Sequence, residues 1–317
     1  MLILLYNLVF RSYNLWVFLH PMISIEPHEL STGKLHAYLL GTVSPRPICF
    51  ASTVDNEGNV NLSPFSFFNV FSAKPPILVF SPARRGRDNT TKHTYENVLE
   101  VPEVVINIVS FEMVQQVSLA STEYAKGVNE FKKAGFSELA SHIIKPPRVA
   151  EAPVQMECKV NEIISLGKEG GAGNLVICEV VKLHIKEEIL GEDGSIDPFK
   201  IDTVSRLGGN WYSRAKAGLF EVPKPLTTLG IGIDNLPEEI RRSKVLTGND
   251  LGMLGNVENF PNSEEINTFI NASEELKKII SSNNSEAIHK KAQEFLCDGK
   301  IDEAWKILLW NGKDNKK

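Results

Sequence analysis

The sequence predicts an α+β protein built on a small antiparallel barrel of six strands, with helices inserted between some strands and more helices at the C-terminal end. Three observations predict it. Short apolar runs recur at residues 48–54, 60–65, 77–81, 104–109, 154–166 and 175–190, each of strand length and most rich in β-branched residues. The first two runs are joined by Asp55-Asn56-Glu57-Gly58-Asn59 and the last two by GKEGGAGN (167–174), turn chemistry that makes sequence neighbours pair as hairpins. The helical patterns do not alternate regularly with the strands at the roughly 10 to 15 residues that a parallel sheet needs, which leaves an antiparallel barrel rather than a doubly wound sheet.

Taken in order, residues 1–19 (MLILLYNLVFRSYNLWVFL) are apolar but interrupted by Asn7, Arg11, Ser12 and Asn14. A signal peptide needs a basic start and a small-residue cleavage site, and a charge near a bilayer centre is costly. A membrane or targeting segment and a soluble extension stay open. The reading carried forward is that residues 1–21 are an over-extended or disordered start and that Met22 opens the folded protein. Residues 24–40 are a short lead-in expected to pack against the barrel.

The hairpin from residue 44 to residue 69 carries more polar groups than a packing strand needs. Arg46, Ser52, Thr53, Asn61, Ser63, Ser66 and Asn69 lie among apolar neighbours, and buried polar groups require partners. Lys74-Pro75-Pro76 breaks the chain, since proline cannot donate to a ladder, before the run 77–81. Arg84, Arg85 and Arg87, with Lys92 beyond, form a basic loop. Asp88 or Asn89 can cap a helix over 90–99, and a cationic loop feeding a helix start suits an anion such as a phosphate; a solvated surface loop is the plain alternative.

Helical patterns at 111–120 and 128–134 follow the fourth strand. The glycine turn 167–174 lacks the spacing of a dinucleotide loop. Near residue 205, Ser205-Arg206-Leu207-Gly208-Gly209-Asn210-Trp211-Tyr212 combines two glycines with two stacking faces; it reads either as a barrel-closing turn or as a ligand contact. Pro223 and Pro225 mark a boundary, beyond which 274–280, 286–295 and 302–310 have helical spacing, the last pair faintly like half of a helical repeat.

The chain of 317 residues has a net charge of -5, 42% hydrophobic and 23% charged residues, a globular composition that speaks against a general nucleic-acid binder. Its cysteines, Cys49, Cys158, Cys178 and Cys297, show no metal or disulfide spacing and read as reduced thiols of a cytoplasmic protein. Paired carboxylates, GxSxG, HExxH and phosphate-loop motifs are lacking, so neither a catalytic side chain nor a metal ligand is expected.

SPRPICFASTVD (44–55), NLSPFSFFNVFSAKPPILVFSPARRGRDNTTKHTYENV (61–98) and SRLGGNWY (205–212) resemble the flavin reductase-like FMN-binding split-barrel family, most of all its flavoredoxin-like branch. The resemblance covers about residues 30–225. It implies a Greek-key split barrel of FMN-binding type over residues 22–225, with 226–317 as a helical addition. It implies FMN as cofactor, NADH or NADPH as electron donor, a homodimer, and no nucleic-acid or membrane partner. Arg46, Arg84, Arg85, Thr90 and Lys92 are then expected around the phosphate. Ser52, Thr53, Asn61 and Ser66 are expected around the ribityl chain. Pro64, Phe65, Phe67, Asn69 and Tyr212 are expected around the ring. Asp88 is left out because it would repel a phosphate, and His184, at a strand position where the family carries a histidine, is a minor candidate near the flavin. The activity implied is NAD(P)H-dependent flavin reduction. The alternatives are an FMN electron carrier serving a partner protein, and a non-redox assembly protein worked by the C-terminal helices.

Overall fold

A computed structural model describes residues 22–222, 224–226 and 229–310; the reading made for residues 1–21 and the boundary proline Pro223 lie outside them. The chain forms two compact units, one running from Ile23 to Phe220 and the other comprising the described residues from Glu221 onward.

The first unit is built on one sheet. Helix α1 (Thr32–Thr42) leads into β1 (Cys49–Val54), β2 (Val60–Phe65), β3 (Phe68–Ala73) and β4 (Pro76–Phe80). Helix α2 (His93–Glu100) precedes β5 (Glu103–Ile108), and α3 (Val114–Ala120) and α4 (Glu130–Ala134) precede the short pair β6 (Glu138–Leu139) and β7 (Arg148–Val149). The long hairpin β8 (Val154–Ser165) and β9 (Asn174–Ile185) is followed by α5 (Pro198–Ile201) and a last small pair, β10 (Val204–Arg206) and β11 (Tyr212–Arg214).

The main sheet is antiparallel in the order β2-β1-β5-β8-β9-β4-β3. It has seven strands, one more than the sequence predicts. The extra strand is β3, which pairs with β4 through a bulge between Val70 and Ser72 and lies on an edge with Asn69, Val70 and Phe71 exposed, so it shows neither alternation nor a buried run. Pro76 opens β4, the strand position where a missing N–H matters least.

The order closes the sheet. Strands β2 and β3 lie at its opposite ends, yet only Ser66 and Phe67 connect them. Seven flat strands would hold the edges about 29 Å apart, while three Cα steps reach at most about 11 Å. The sheet therefore curls into a barrel with a split between β2 and β3.

Each face of the curled sheet is packed. Along β1 the side chains alternate, Cys49 and Ala51 joining an apolar cluster with Phe65, Phe80, Ile106, Cys158, Val176 and Cys178. Phe50 joins the other cluster, with Leu62, Met113, Val117, Phe131 and Val149 from α3, α4 and the strands. This explains why β1 reads as a continuous apolar run: all six of its residues are buried. Burial pushes the thiols of Cys49 and Cys178 up and that of Cys158 to about 12, and all four cysteines are free. The β1–β2 turn is held by Asp55, whose Oδ1 accepts from the amides of Glu57 (3.0 Å) and Asn59 (2.9 Å), with Gly58 at φ 85, a left-handed conformation that suits glycine.

The lead-in meets the barrel through His36, which stands against Phe67. It forms the helix α1, capped by Ser31, and none of its residues is buried. The helix expected at 90–99 starts later, at His93, because Asn89 takes a left-handed turn (φ 58) and Asp88 binds the amide and hydroxyl of Thr90.

The second unit is helical: α6 (Glu238–Arg241), α7 (Gly248–Gly255), α8 (Ser263–Asn271), α9 (Glu274–Ser281), α10 (Ser285–Cys297) and α11 (Ile301–Leu308). Thr247, Asn262, Ser273 and Asn284 cap four of these helices with their side chains. The core gathers Leu254, Ile270, Ala292, Leu296, Ala304, Trp305 and Ile307, and Trp305 donates its indole N–H to Leu254 O (3.2 Å). Among the described residues no helix is long and apolar enough to cross a membrane.

Candidate functional site

The split between β2 and β3 opens into a cleft of about 550 Å³, within the size range of cofactor sites. Its floor is the chain that crosses the split, Ser63 to Phe67. His36 and Leu40 of α1 form one wall, Val117 and Ser118 of α3 with Ser121 just past its end another, and Arg206, Asn210 and Tyr212 of the β10–β11 hairpin a third. Ile48, Ser81, Ala83 and Lys92 complete the lining, and among the described residues no carboxylate lies in it. Five serine hydroxyls, an apolar floor and cationic groups at the margins suit an anionic ligand with a flat ring and a polyol arm.

The walls are held by identifiable contacts. The Arg206 guanidinium lies over the Tyr212 ring at 4.5 Å and donates to Gly209 O (2.9 Å); Gly209 has φ 59. His36 stands edge-on to Phe67, centroids 6.1 Å apart. Ser81 donates its amide to Phe67 O (2.8 Å), which ties the end of β4 to the crossing residues.

A second, tight cleft of about 20 Å³ shares Ser63, Lys92 and Ser121 with the first and adds Asn61, Arg85, His93, Thr94 and Glu123. Here lies the basic loop. Arg85 Nη1 donates to Thr90 Oγ1 (3.0 Å) and to the Thr91 carbonyl, while its Nε meets Glu123 (3.2 Å). Arg87 also pairs with Glu123, and Lys92 lies 3.7 Å from the same carboxylate. Burial, then the charge of Arg85, lowers the pKa of Lys92. For Glu123, burial acts upward, but Arg87 and Lys92 outweigh it and hold the carboxyl below its ordinary value.

The glycine turn between β8 and β9 supports this loop from behind. Arg84 N donates to Ala172 O (2.9 Å) and Gly171 N to Arg84 O (3.0 Å). A Cβ at Gly173 would stand 2.7 Å from Ser81 Oγ. The turn therefore has a packing role that its spacing did not suggest.

Of the residues singled out from sequence, Pro64, Phe65, Ser66, Phe67, Lys92 and Tyr212 line the main cleft, and Asn61, Arg85 and Lys92 line the tight one. The others lie outside both linings. Arg46 is buried and donates to the carbonyls of Leu40 (2.6 Å), Val43 (2.7 Å) and Leu207 (3.0 Å), so it clamps the walls from outside the lining. Burial, then Arg206, lowers its pKa. Thr53 accepts from Asn97 Nδ2 (3.1 Å), and Ser52 Oγ is buried with no hydrogen-bond partner. Asn69 is exposed on β3 and accepts from the amide of Val70 (2.8 Å). Arg84 donates to the Asn89 side chain and carbonyl, both 2.6 Å, and Thr90 belongs to the Asp88 turn.

His184 is not among the residues lining either cleft. Its Nε2 lies 2.7 Å from Glu157, a fully buried carboxylate that also accepts the amides of His142 (2.8 Å) and Ile143 (2.7 Å). Burial acts to raise the Glu157 pKa, but these donors hold it at about 2. His36, Ser81, Ser118, Ser121 and Glu123 were not singled out, since an isolated serine or a helix histidine carries no local signal of what it faces. Arg206 and Asn210 lay within the quoted SRLGGNWY stretch.

Comparison with known proteins places this barrel. Residues 41–199 match the family described as "Flavin reductase like domain". An uncharacterised protein of Aquifex aeolicus is 37% identical over 187 residues, 59% of this chain and 93% of the relative. Among solved structures, nitrilotriacetate monooxygenase component B from Bacillus cereus is 30% identical, with a TM-score of 0.60 over 64% of this chain and 100% of the other. The 2-nitrobenzoate 2-nitroreductase of Pseudomonas fluorescens is 26% identical, with a TM-score of 0.59 over 66% of this chain and 100% of the other.

Proposed function

The chain belongs to the flavin reductase-like family, and from that premise we propose that it holds FMN in the cleft at the barrel split and reduces it with NADH or NADPH. Flavin-related redox chemistry is what the family brings. The observation that carries the finer reading is the donor set of the cleft: an apolar floor from Pro64 to Phe67, five serines, cationic margins and no carboxylate.

The residues present fit the cofactor. Lys92, with Arg85 beside it, provides charge-assisted donors for a phosphomonoester. Ser63, Ser66, Ser81, Ser118 and Ser121 provide hydroxyls for the ribityl chain. Phe65, Phe67 and Tyr212 provide apolar faces for the ring. When bound, FMN supplies the hydride-accepting ring, a chemistry no side chain offers. The protein's part is placement and electrostatics. The crossing residues exclude water from one side, and Arg206, fixed over Tyr212, keeps a positive charge at the margin where it favours an electron-rich ligand.

A homodimer is part of this reading. It is supported by apolar side chains left in solvent on α1 and β3, with Leu39 at 51%, Val70 at 63% and Phe71 at 68% exposure, more than isolated surface residues require. The relative named as one component of a monooxygenase supports a partner protein as the final electron acceptor, and the unpaired cysteines support a cytoplasmic setting.

The test is an anaerobic absorbance titration of the protein with FMN, followed by NADH or NADPH. Bound-flavin bands that bleach at enzymatic rates are the expected result. Bands that persist until a chemical reductant is added would make the protein an electron carrier. Failure to take up flavin under any condition would overturn the reading.

A further inference from the structure

Three cations of the basic loop converge on a single carboxylate, and that carboxylate comes from another part of the chain. Arg85, Arg87 and Lys92 all pair with Glu123, which stands in the irregular segment between α3 and α4. Of these, Arg85 and Lys92 are the groups assigned above to the flavin phosphate. The tight cleft that Arg85, Lys92 and Glu123 line has about 20 Å³ of free space, room for about one water molecule and not for a phosphate.

Arg85 has only its Nη2 hydrogens left for a second anion as it stands. Its Nη1 is committed to Thr90 Oγ1 and to the Thr91 carbonyl, and the edge carrying Nε is occupied by Glu123. The side chain is only 13% exposed, so it has little freedom to turn elsewhere. The segment bearing Glu123 is not bonded through its main chain to the basic loop. Its main-chain bonds are local, from Ser121 to Ser118, Thr122 to Leu119, Tyr124 to Thr122 and Val128 to Ala125. Glu123 is thus the tie between this segment and the basic loop.

The geometry points to Glu123 as a built-in competitor for the phosphate, which sets how strongly this site discriminates phosphorylated from unphosphorylated flavin. The inference rests on the flavin reading of the cleft. A phosphomonoester carries about −1.5 to −2 charge at neutral pH and three acceptor oxygens, so it can displace a monovalent carboxylate from the same donors. A flavin without a phosphate has nothing to offer those donors and leaves Glu123 in place. Two consequences follow. Binding of the phosphate exchanges one set of ion pairs for another, so salt weakens FMN binding only shallowly, whereas without the competitor new ion pairs form and the salt dependence steepens. Displacement also removes the ion pairs at a point two residues from Ser121, a cleft residue, so phosphate binding is coupled to the cleft wall.

The experiment compares FMN with riboflavin on the full-length protein, wild type against Glu123→Gln and Glu123→Ser, with Glu123→Asp keeping the charge. Affinities are read by flavin fluorescence at two salt concentrations, and thermal melting checks that each variant is folded. Glu123→Gln and Glu123→Ser are expected to bind FMN about tenfold more tightly, a change within the range of single charge substitutions at a binding site. Riboflavin affinity is expected to change less than about twofold, and Glu123→Asp is expected to resemble wild type. If wild type binds neither flavin, the proposed function falls and the inference with it. If wild type binds FMN while the ratio of FMN to riboflavin affinity stays unchanged or falls in both uncharged variants, the inference alone is overturned.

Discussion

Replacing Arg46 by alanine separates two roles for a buried arginine beside a ligand cleft. The side chain is 5% exposed and donates to three main-chain carbonyls, at 2.6 Å, 2.7 Å and 3.0 Å. Two of these belong to α1 and its end, and the third to the segment before β11, so one guanidinium joins parts of the chain 161 residues apart. A hydrogen bond from a charged donor contributes about 1.5–3 kcal/mol. The carbonyls lie near the surface, where water would recover part of this, which brings the expected loss to about 3 kcal/mol. For a unit of about 200 residues, each kcal/mol shifts the melting temperature by about 2–4 °C. Arg46→Ala should therefore lower the melting temperature of the barrel by about 6–12 °C, seen by differential scanning calorimetry or circular dichroism. Arg46→Lys should recover little, since one ammonium cannot serve a fork of three acceptors. FMN affinity should fall as well, because Leu40 and Ser66, whose hydroxyl lies 3.5 Å from Arg46 Nε, line the cleft, but as a consequence of the loosened walls. A variant that melts within about 1 °C of wild type while losing FMN affinity would refute the clamp and make Arg46 a direct ligand contact.

Three further predictions concern groups away from the basic loop. Ser52→Ala removes a buried hydroxyl that has no partner and should leave stability unchanged or raise it by up to about 1 kcal/mol; a drop of several degrees in melting temperature would mean that the hydroxyl is satisfied. Glu157 has a folded pKa of about 2 against an ordinary 4.5. Its contribution of about 2–3 kcal/mol is thus present above pH 4.5 and lost as the pH falls toward the folded value. Glu157→Gln should lower stability at neutral pH and flatten the acid limb of the stability curve, and an unaltered acid limb would count against the buried carboxylate. Trp305→Ala should cost the helical unit about 3–5 kcal/mol, readable as faster proteolysis beyond residue 220, and unchanged protease resistance there would speak against Trp305 as the centre of that core.

The parts of the fold that were legible in the sequence are those whose causes are local. The β1–β2 and β8–β9 hairpins declare themselves through apolar runs and turn residues within one stretch, as do the capped C-terminal helices. Strand β3 does not, because an exposed, bulged edge strand carries no burial pattern. Helix α1 does not, because none of its residues is buried. The same division runs through the site. Pro64 to Phe67, Lys92 and Tyr212 were found because they sit in contiguous motifs that border the cleft. Thr53, Arg46 and Arg84 shared their polarity, but what decides a polar residue's role is its partner. Asn97 for Thr53 and Leu207 for Arg46 are distant in sequence. Glu123 was invisible for the same reason: an acidic residue in a loop says nothing of the three cations it meets after folding.

The split in the barrel also bears on how the protein behaves in a crowded solution. Along the gap, β2 and β3 each pair on one side only, and an open strand edge can template pairing with another chain. One donor on this edge, the Leu62 amide, is covered by Glu130 (2.9 Å), and an occupant of the gap would cover more. On the proposed reading, a bound flavin would act as mortar as well as reagent. Protein made faster than flavin can be supplied should clump on warming, while loaded protein should stay dispersed, a difference that light scattering of the two preparations would register, and equal scattering would deny.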